Sequence, residues 1–369
     1  AMFGIGNLYE NGNGVEQSYS EAKKWYEKAA EHDHALAMLR IGYLYKGGDG
    51  VEQSYSKAKE WFEKAAEHGN ATAMFGIGNL YENGNGVEQS YSEAKKWYEK
   101  AAEHDHALAM LRIGYLYEDG DGVEQSYSKA KEWFEKAAEH DHATAMLQIG
   151  YLYLNGNGVE QNYSKAKEWY EKAAEHGDEE AMFLIGFLYE NGDGVEQSYS
   201  KAKEWYEKAA ECGDEEAMLR IGYLYKNGNG VEQSYSKAKE WFKKAVENGD
   251  EEAMFWIGFL YEKENGVEQS YSKAKEWYEK AAENGDEYAM LRIGYLYRDG
   301  NGVEQSYSKA KEWFEKAAEN GEKTAMFWIG YLYEKGNGVE QSYSKAKEWY
   351  KKSADLGCDS AIEALKRLS

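Results

Sequence analysis

Apolar and polar side chains alternate along the chain with a period of about 3.6 residues, in short segments that glycine-rich stretches separate. In one such segment the apolar positions are Ala22, Trp25, Tyr26, Ala29 and Ala30. They fall on one face of a helix, and lysine and glutamate fall on the opposite face. The segment is therefore predicted to form an amphipathic helix with one buried side.

A second kind of helix precedes each copy of this one. In one copy its apolar stripe consists of Ala37, Ile41, Leu44 and Tyr45. Between the two helices the chain reads N-G-N-G or a variant, and glycine there allows the positive φ that a tight turn requires. Gly14 has a glycine equivalent in every copy, whereas Glu264 replaces the equivalent of Gly12 in one copy. We expect the loop at Glu264 to be the least regular.

Side chains that cap helix N-termini stand before both kinds of helix. Ser18 is predicted to accept a bond from a free backbone N–H, and Glu21, three residues later, predicts a capping box. Four of the first helices are expected to be capped by Asp178, Asp214, Asp250 and Asp286. Within the second helix, Lys23 and Glu27 have the spacing of an ion pair one turn apart.

Tryptophans mark a strict repeat of 36 residues, from Trp25 to Trp349, without insertion or deletion. One helical hairpin cannot bury its own apolar face, but stacked neighbours can. We therefore predict an all-α fold, an α-solenoid in which ten repeats of antiparallel helix pairs form a right-handed superhelix. Residues 1–360 are predicted to form the solenoid, and residues 361–369 a C-terminal capping helix.

A weaker period of 72 residues lies on top of the first. Residues 1–72 and 73–144 differ at four positions. The residue after the repeated tryptophan alternates between tyrosine and phenylalanine, as at Tyr26 and Phe62, and the alternation loses its phase near residues 146–181. Copying of two-repeat blocks is the simplest explanation.

The residue pattern of one unit resembles a known family. It reads A-x-A-M-x-x-I-G-x-L-Y, then G-x-G-V-x-Q-x-Y-x-K-A-x-x-W-Y-x-K-A-A-E-x-G, and is similar to the Sel-one-like repeat, a relative of the tetratricopeptide repeat. The resemblance covers essentially the whole chain, although Glu16 stands where the family often has proline and Ser18 where it often has aspartate. It implies a non-catalytic adaptor or scaffold that assembles other proteins, with the first helices lining a concave surface.

The chain carries 67 acidic and 44 basic side chains, a formal net charge of −23. Binding to a phosphate backbone requires clustered lysine and arginine, so we predict no nucleic-acid partner. The charge favours solubility, and a solvated acidic surface explains it most simply; a basic protein partner is the alternative. No apolar run approaches the roughly 18 residues of a membrane span, so no membrane insertion is expected.

Residue types that carry chemistry are present, but their pattern favours structural roles. The segment 32–34, His-Asp-His, and its copies contain metal-binding side chains, but they fall in predicted exposed turns. No nucleophile and base stand out from the repeat, so we predict no enzyme activity, no cofactor and no metal site. Asn70 and Asn162 lie in glycosylation sequons, a hint of a secreted or extracellular protein, but both also fall at predicted N-caps.

On the first helix, the fourth and seventh positions of the repeat vary from copy to copy. Positions three apart share a helix face, which the resemblance places on the concave side. Arginine, tryptophan and tyrosine are frequent there, and these residues are over-represented in binding hot spots. The predicted interaction groove consists of Arg40, Tyr43, Arg112, Tyr115, Arg220, Tyr223, Trp256, Phe259, Arg292, Tyr295, Trp328 and Tyr331. Alternatively, some of the aromatic side chains pack between neighbouring repeats.

Two functions fit this surface. Its near-identity from repeat to repeat suits a periodic partner or copies of the chain itself, since contacts that do not close build open helical assemblies. We therefore predict a homo-oligomer, a filament or tubule formed by self-association. The alternative is an adaptor that captures a separate, repetitive or basic protein partner in the groove. Recent duplication without selection for diversity would also explain the near-identity.

Overall fold

The fold is that of a computed structural model, which describes residues 1–263 and 268–368. Over these residues the chain forms 21 α-helices and no β-strand, and none of these helices is long and apolar enough to cross a membrane. In chain order the helices are α1 (Met2–Asn11), α2 (Tyr19–Ala30), α3 (Ala35–Gly47), α4 (Tyr55–Glu67), α5 (Ala71–Asn83), α6 (Tyr91–Ala102), α7 (Ala107–Asp119), α8 (Tyr127–Ala138), α9 (Ala143–Asn155), α10 (Tyr163–Glu175), α11 (Glu179–Asn191), α12 (Tyr199–Glu211), α13 (Glu215–Asn227), α14 (Tyr235–Glu247), α15 (Glu252–Glu262), α16 (Tyr271–Glu283), α17 (Glu287–Asp299), α18 (Tyr307–Glu319), α19 (Lys323–Lys335), α20 (Tyr343–Asp355) and α21 (Asp359–Leu368). Glu264 lies outside the described residues, so the irregularity expected of its loop remains a prediction.

Two compact units share these helices. One unit consists of residues 1–181 and 193–195, and the other consists of residues 182–192 and the chain from 196 onward. Within each unit an odd-numbered helix packs along the even-numbered helix that follows it, and that helix packs on the next odd-numbered one. Short turns join the two helices of a pair, which therefore run antiparallel. The predicted stack of helical hairpins is confirmed.

The glycine turn inside each hairpin has the left-handed conformation that the sequence predicts. Gly12 ends α1 with a φ of 70°, and Gly14 follows with a φ of 76°. Both positions have positive φ at every other described glycine of these turns. The Ser18 N–H then donates to the Tyr9 carbonyl at 2.9 Å, which holds the start of α2 against the end of α1.

The predicted N-caps are present, but the predicted capping box does not form. The Ser18 hydroxyl accepts from the Glu21 N–H at 3.3 Å, as expected. The reciprocal bond does not form, because the Ser18 N–H already donates to Tyr9 and the Glu21 carboxylate pairs with Lys24 at 2.6 Å. The four aspartate caps of the first helices are confirmed, each accepting a backbone N–H at 2.6–2.9 Å: Asp178, Asp214, Asp250 and Asp286.

The core of every repeat contains one large ring that lies against a glycine of the preceding helix. The ring follows the repeated tryptophan and is fully buried in all ten repeats, as at Tyr26 and Phe62. A Cβ atom added to the facing glycine would lie 2.3–2.7 Å from a ring atom across the ten pairs. At Gly78, for example, it would lie 2.4 Å from the Tyr98 ring. Alanine cannot replace this glycine unless the ring moves or the two helices separate.

The identity of this ring, tyrosine or phenylalanine, correlates with the side chain at the tenth position of the repeat. Five of the six tyrosines donate their hydroxyl to a glutamate there, in the pairs Tyr26–Glu10, Tyr98–Glu82, Tyr206–Glu190, Tyr278–Glu262 and Tyr350–Glu334. Burial and the bond to Glu82 raise the pKa of Tyr98, so its hydroxyl stays protonated and donates. In the repeats of Phe62, Phe242 and Phe314, the tenth position is lysine or arginine. Hydroxyl–carboxylate pairing therefore gives the longer sequence period a structural basis.

Two consecutive repeats of the first unit break this matching. Leu154 stands where a glutamate would accept from Tyr170, and the buried Tyr170 hydroxyl has no hydrogen-bond partner among the described residues. In the repeat before, Glu118 accompanies Phe134, and burial together with Asp119 raises the pKa of the Glu118 carboxyl. An unpaired buried polar group costs about 1–3 kcal/mol. These mismatches lie at or just before the point where the sequence loses its phase.

Replacing Gly78 with alanine should destabilise the protein, because the new methyl group would overlap the Tyr98 ring. Such overpacking costs about 1–3 kcal/mol, against a gain of up to about 1 kcal/mol from the better helix propensity of alanine. Gly76→Ala, in the same helix, is the matched control, since its Cβ would lie 3.3 Å from the Phe62 ring and needs only a slight shift. Urea unfolding followed by circular dichroism should give a clearly lower midpoint for Gly78→Ala. Equal midpoints would contradict the ring–glycine contact.

The same substitution at two equivalent tyrosines should have different consequences. Tyr98→Phe removes the bonds to Asn79, at 2.7 Å, and to Glu82, and should lower the free energy of unfolding by about 1–3 kcal/mol. Tyr170→Phe removes a hydroxyl without a partner and should leave the stability unchanged or raise it by up to about 1 kcal/mol. Thermal unfolding of both variants beside the parent chain provides the measurement. A comparable loss in Tyr170→Phe would show that this hydroxyl is bonded after all.

Candidate functional site

The residues of the predicted groove lie on first helices, and all except the exposed Arg40 are half-buried. They lie on α3 (Arg40, Tyr43) and α7 (Arg112, Tyr115) in one unit, and on α13 (Arg220, Tyr223), α15 (Trp256, Phe259), α17 (Arg292, Tyr295) and α19 (Trp328, Tyr331) in the other. Each of these helices packs on the second helix of the preceding repeat. In some repeats the fourth-position side chain also reaches the tenth position of the preceding repeat, which lies on the first helix of that repeat.

Arginine at the fourth position reaches the same glutamate that accepts from a buried tyrosine. Arg112 donates to Glu82, which also accepts from Tyr98. Arg292 donates to Glu262, with Nε 2.9 Å from Oε2. The side chains of Glu82 and Glu262 are only 11% and 14% exposed, so these ion pairs are largely shielded from water. Tyrosine, glutamate and arginine thus form one hydrogen-bonded junction between neighbouring repeats.

Two of the predicted arginines depart from this arrangement. Arg40 is exposed, and its guanidinium lies 3.9 Å from the Glu10 carboxylate. Arg220 instead pairs within its own helix, where Nε donates to Glu216 at 2.9 Å. Each of these two guanidinium groups thus has a carboxylate partner within the chain. Binding of a protein partner by these arginines remains a prediction.

Tryptophan at the fourth position receives a cation from the preceding repeat. Lys226 lies over Trp256 with Nζ 3.6 Å from the ring centroid, and Arg298 lies over Trp328 at 4.1 Å. Trp256 also stacks on the buried Phe242 ring, at a centroid distance of 6.5 Å. Cation–π contacts contribute about 0.5–2 kcal/mol. These contacts agree with the alternative that aromatic groove residues pack between neighbouring repeats. Binding of a protein partner by the exposed part of these rings stays a prediction.

A concavity of about 480 Å³ lies beside Trp256 in the second unit, between the starts of α15 and α17. Ala281, Asn284 and Gly285 form part of its wall. Four carboxylate side chains and three aromatic rings complete the lining: Glu251, Glu252, Asp286, Glu287, Phe255, Trp256 and Tyr288. None of the described residues that line this pocket is lysine, arginine or histidine. Its charge is therefore negative, and Tyr288 is 56% exposed to solvent.

Hydrogen bonds from the protein hold two of these carboxylates in place. Glu252 accepts from the Tyr223 hydroxyl and from the Trp256 indole N–H, the latter at 3.2 Å. Asp286 caps α17 by accepting a backbone N–H of its first turn at 2.7 Å. Burial and the neighbouring Glu287 raise the pKa of Asp286, as expected where carboxylates gather without a cation. Two of the four carboxylates of the pocket are thus positioned by hydrogen bonds within the chain.

The sequence contains a signal for this pocket that the groove prediction missed. Tyr288 stands at a repeat position that is leucine, threonine, glutamate or serine in every other repeat. An aromatic residue there, one repeat after Trp256, is an irregularity on an otherwise copied surface. The sequence alone does not show that the turn before α17 faces the start of α15, so the two rings could not be placed together.

The histidine-containing turns have a structural role at helix starts. Asp33 has a φ of 59°, and the His34 Nδ1 accepts from the Ala37 N–H at 3.3 Å. His68 Nε2 lies 3.7 Å from the Asp33 carboxylate. Within residues 1–263 and 268–368, no group of three or more histidine, cysteine, aspartate or glutamate side chains is arranged to hold a metal ion.

Asn70 and Asn162 both cap helices, which confirms their predicted N-cap positions. Their Oδ1 atoms accept from the N–H groups of Ala73 and Lys165, each at 2.9 Å. This capping role accounts for the two asparagines in the fold. Glycosylation at either of them stays a prediction.

Ten consecutive segments of the chain match the family model of the Sel1 repeat. The segments are 1–34, 35–70, 71–106, 107–142, 143–178, 179–214, 215–250, 251–286, 287–322 and 323–358. No curated protein matches the chain closely enough to count as a relative. The segments of the family model together cover residues 1–358.

Two solved structures are similar to this chain. One is a protective antigen present in uropathogenic Escherichia coli strains, which displays an SLR fold; it is 32% identical, over 100% of this chain and 79% of its own, with a TM-score of 0.75. The other is a Sel1 repeat protein from Oxalobacter formigenes, 34% identical over 66% of this chain and 99% of its own, with a TM-score of 0.58. These matches confirm the predicted resemblance and the α-solenoid fold. The chain belongs to the Sel1 repeat family, whose proteins are protein-interaction scaffolds.

Proposed function

We propose that this chain is a non-enzymatic scaffold that captures a separate protein partner on the face formed by its first helices. The pocket beside Trp256 is the observation that carries the proposal, because its lining includes Tyr288, an aromatic side chain at a position that is leucine, threonine, glutamate or serine in every other repeat. A surface that selects one partner needs contacts that differ from repeat to repeat. Trp256 and Tyr288 supply such contacts with the residue types that dominate binding hot spots.

The form of the pocket supports capture of a protein segment. Its volume of about 480 Å³ accommodates a large side chain, and three aromatic rings offer apolar surface to it. Tryptophan and tyrosine rings are rigid and contribute contact area at a low entropic cost. The carboxylates Glu252 and Asp286 are held by bonds from the protein, so little ordering is required on binding.

Self-assembly into a filament or tubule is the second candidate, and one observation favours it. Concavities of about 430, 450 and 490 Å³ share one lining of two glutamates, an alanine, a methionine, a tryptophan and a lysine. Their methionines are Met38, Met74 and Met290, which occupy the same repeat position. Such recurring concavities suit a periodic partner, including another copy of the chain.

Selection from a displayed random-peptide library, with the full chain as the target, tests capture. Selected peptides should bind Tyr288→Ala about tenfold more weakly than the parent chain, a loss of about 1.4 kcal/mol, because the ring is part of the pocket wall. Tyr343→Ala is the matched control: Tyr343 is 55% exposed, against 56% for Tyr288, but lies on a second helix. Its binding should be unchanged. Equal losses in both variants, or no selected peptides, would refute the proposal.

Light scattering on the same samples separates the two candidates. A particle mass that stays at one chain over a wide range of protein and salt concentrations favours capture of a separate partner. Particles that grow with protein concentration favour self-assembly.

A further inference from the structure

We propose that the pocket beside Trp256 takes the side chain of a lysine or arginine from a basic segment of the partner. This inference rests on the proposed function and adds the chemistry of the partner. Carboxylates bind guanidinium and ammonium groups through charge-assisted hydrogen bonds, and the faces of tryptophan and tyrosine attract the same cations. The lining of this pocket contains both kinds of group and no basic residue.

The preceding repeat contains an internal example of this arrangement. Glu216 and Arg220 stand 36 residues before Glu252 and Trp256 and occupy the same repeat positions. There the Arg220 guanidinium donates to Glu216 at 2.9 Å. One repeat later tryptophan replaces the arginine, and the carboxylate of Glu252 remains. A guanidinium from a partner would restore the ion pair that the chain forms by itself one repeat earlier.

The charges around the pocket favour a cation over an anion. The N-termini of α15 and α17 lie at the pocket, and a helix N-terminus carries a partial charge of about +0.5. Two such termini contribute about +1, which the four carboxylates that line the pocket outweigh. The net charge of −23 adds a long-range attraction for a basic segment.

One cation of the chain lies close to the pocket. The Lys226 Nζ lies 3.6 Å from the centroid of the Trp256 ring, but Lys226 is not part of the pocket lining. Burial lowers the pKa of Lys226, so this ammonium is held less firmly in its charged form than an exposed lysine. The lining itself therefore supplies no cation to its four carboxylates.

Fluorescence anisotropy with a labelled hexa-arginine peptide and the full-length chain tests the inference. Trp256→Arg introduces the residue that is native at this position one repeat earlier, so it should fold and supply its own cation. We expect it to weaken peptide binding by about tenfold. Trp256→Phe retains a ring and should lose about threefold or less. Circular dichroism of each variant confirms the fold.

A second pair of variants separates the pocket from general charge attraction. Glu251→Gln and Glu215→Gln each remove one exposed carboxylate at the same repeat position, but only Glu251 lines the pocket. Glu251→Gln should weaken binding several-fold, and Glu215→Gln should leave it near the parent value. Equal effects in the two variants would show that the peptide follows the net charge, which overturns the inference even if Trp256→Arg fails to fold.

The outcomes also distinguish this inference from the proposed function. Selected peptides that depend on Tyr288 but contain no lysine or arginine would leave the scaffold proposal standing and overturn the choice of a basic side chain. A hexa-arginine peptide that binds Trp256→Arg as tightly as the parent chain would have the same consequence. Peptide binding that depends on Trp256, Glu251 and Tyr288 together supports both the scaffold proposal and the choice of a basic side chain.

Discussion

Each repeat depends on one contact, between a buried aromatic ring on its second helix and a glycine on its first. Because glycine has no Cβ atom, the two helices approach closely enough to enclose the ring completely, as at Gly78 and Tyr98. The outer end of the ring then lies beside the tenth position of the repeat, which is on the first helix. When the ring is tyrosine, its hydroxyl mostly bonds to a glutamate at this position, as Tyr98 bonds to Glu82. When the ring is phenylalanine, the position is mostly lysine or arginine. The identity of one core ring thus correlates with the charge of the side chain at the tenth position of the repeat.

That link extends from one repeat to the next. In two repeats whose ring is tyrosine, the glutamate also accepts from an arginine of the following repeat: Arg112 donates to Glu82, and Arg292 donates to Glu262. In the second unit, where the ring is phenylalanine, a basic side chain instead covers a tryptophan of the following repeat, as Lys226 covers Trp256. The pocket occurs at a junction of this second kind, where Trp256 stands at the repeat position of Arg220 and Glu252 at that of Glu216, the partner of Arg220. A periodic core therefore supports a surface that is not fully periodic.

The features that the sequence predicts well are those that a few neighbouring residues determine. Positive φ at Gly12 and the cap by Ser18 are such features, and the structure contains both. The capping box at Glu21 failed because Tyr9, on the other helix, takes the Ser18 N–H. The role of Gly78 was missed because a glycine within a helix is unfavourable by itself, and its benefit appears only when the facing ring is known. The pocket likewise requires knowledge of which turn faces which helix.

Fluorine NMR of the chain with fluorotryptophan at its 12 tryptophans most directly tests whether the pocket captures a basic segment. Ten tryptophans repeat along the second helices, whereas Trp256 and Trp328 lie on first helices. Trp→Phe variants at these two positions assign their resonances. On titration with the arginine peptide, we predict that the Trp256 resonance shifts first and furthest, while Trp328, which does not line the pocket, keeps its position. Equal shifts of all the resonances, or an unchanged Trp256 signal at saturating peptide, would contradict capture at this pocket.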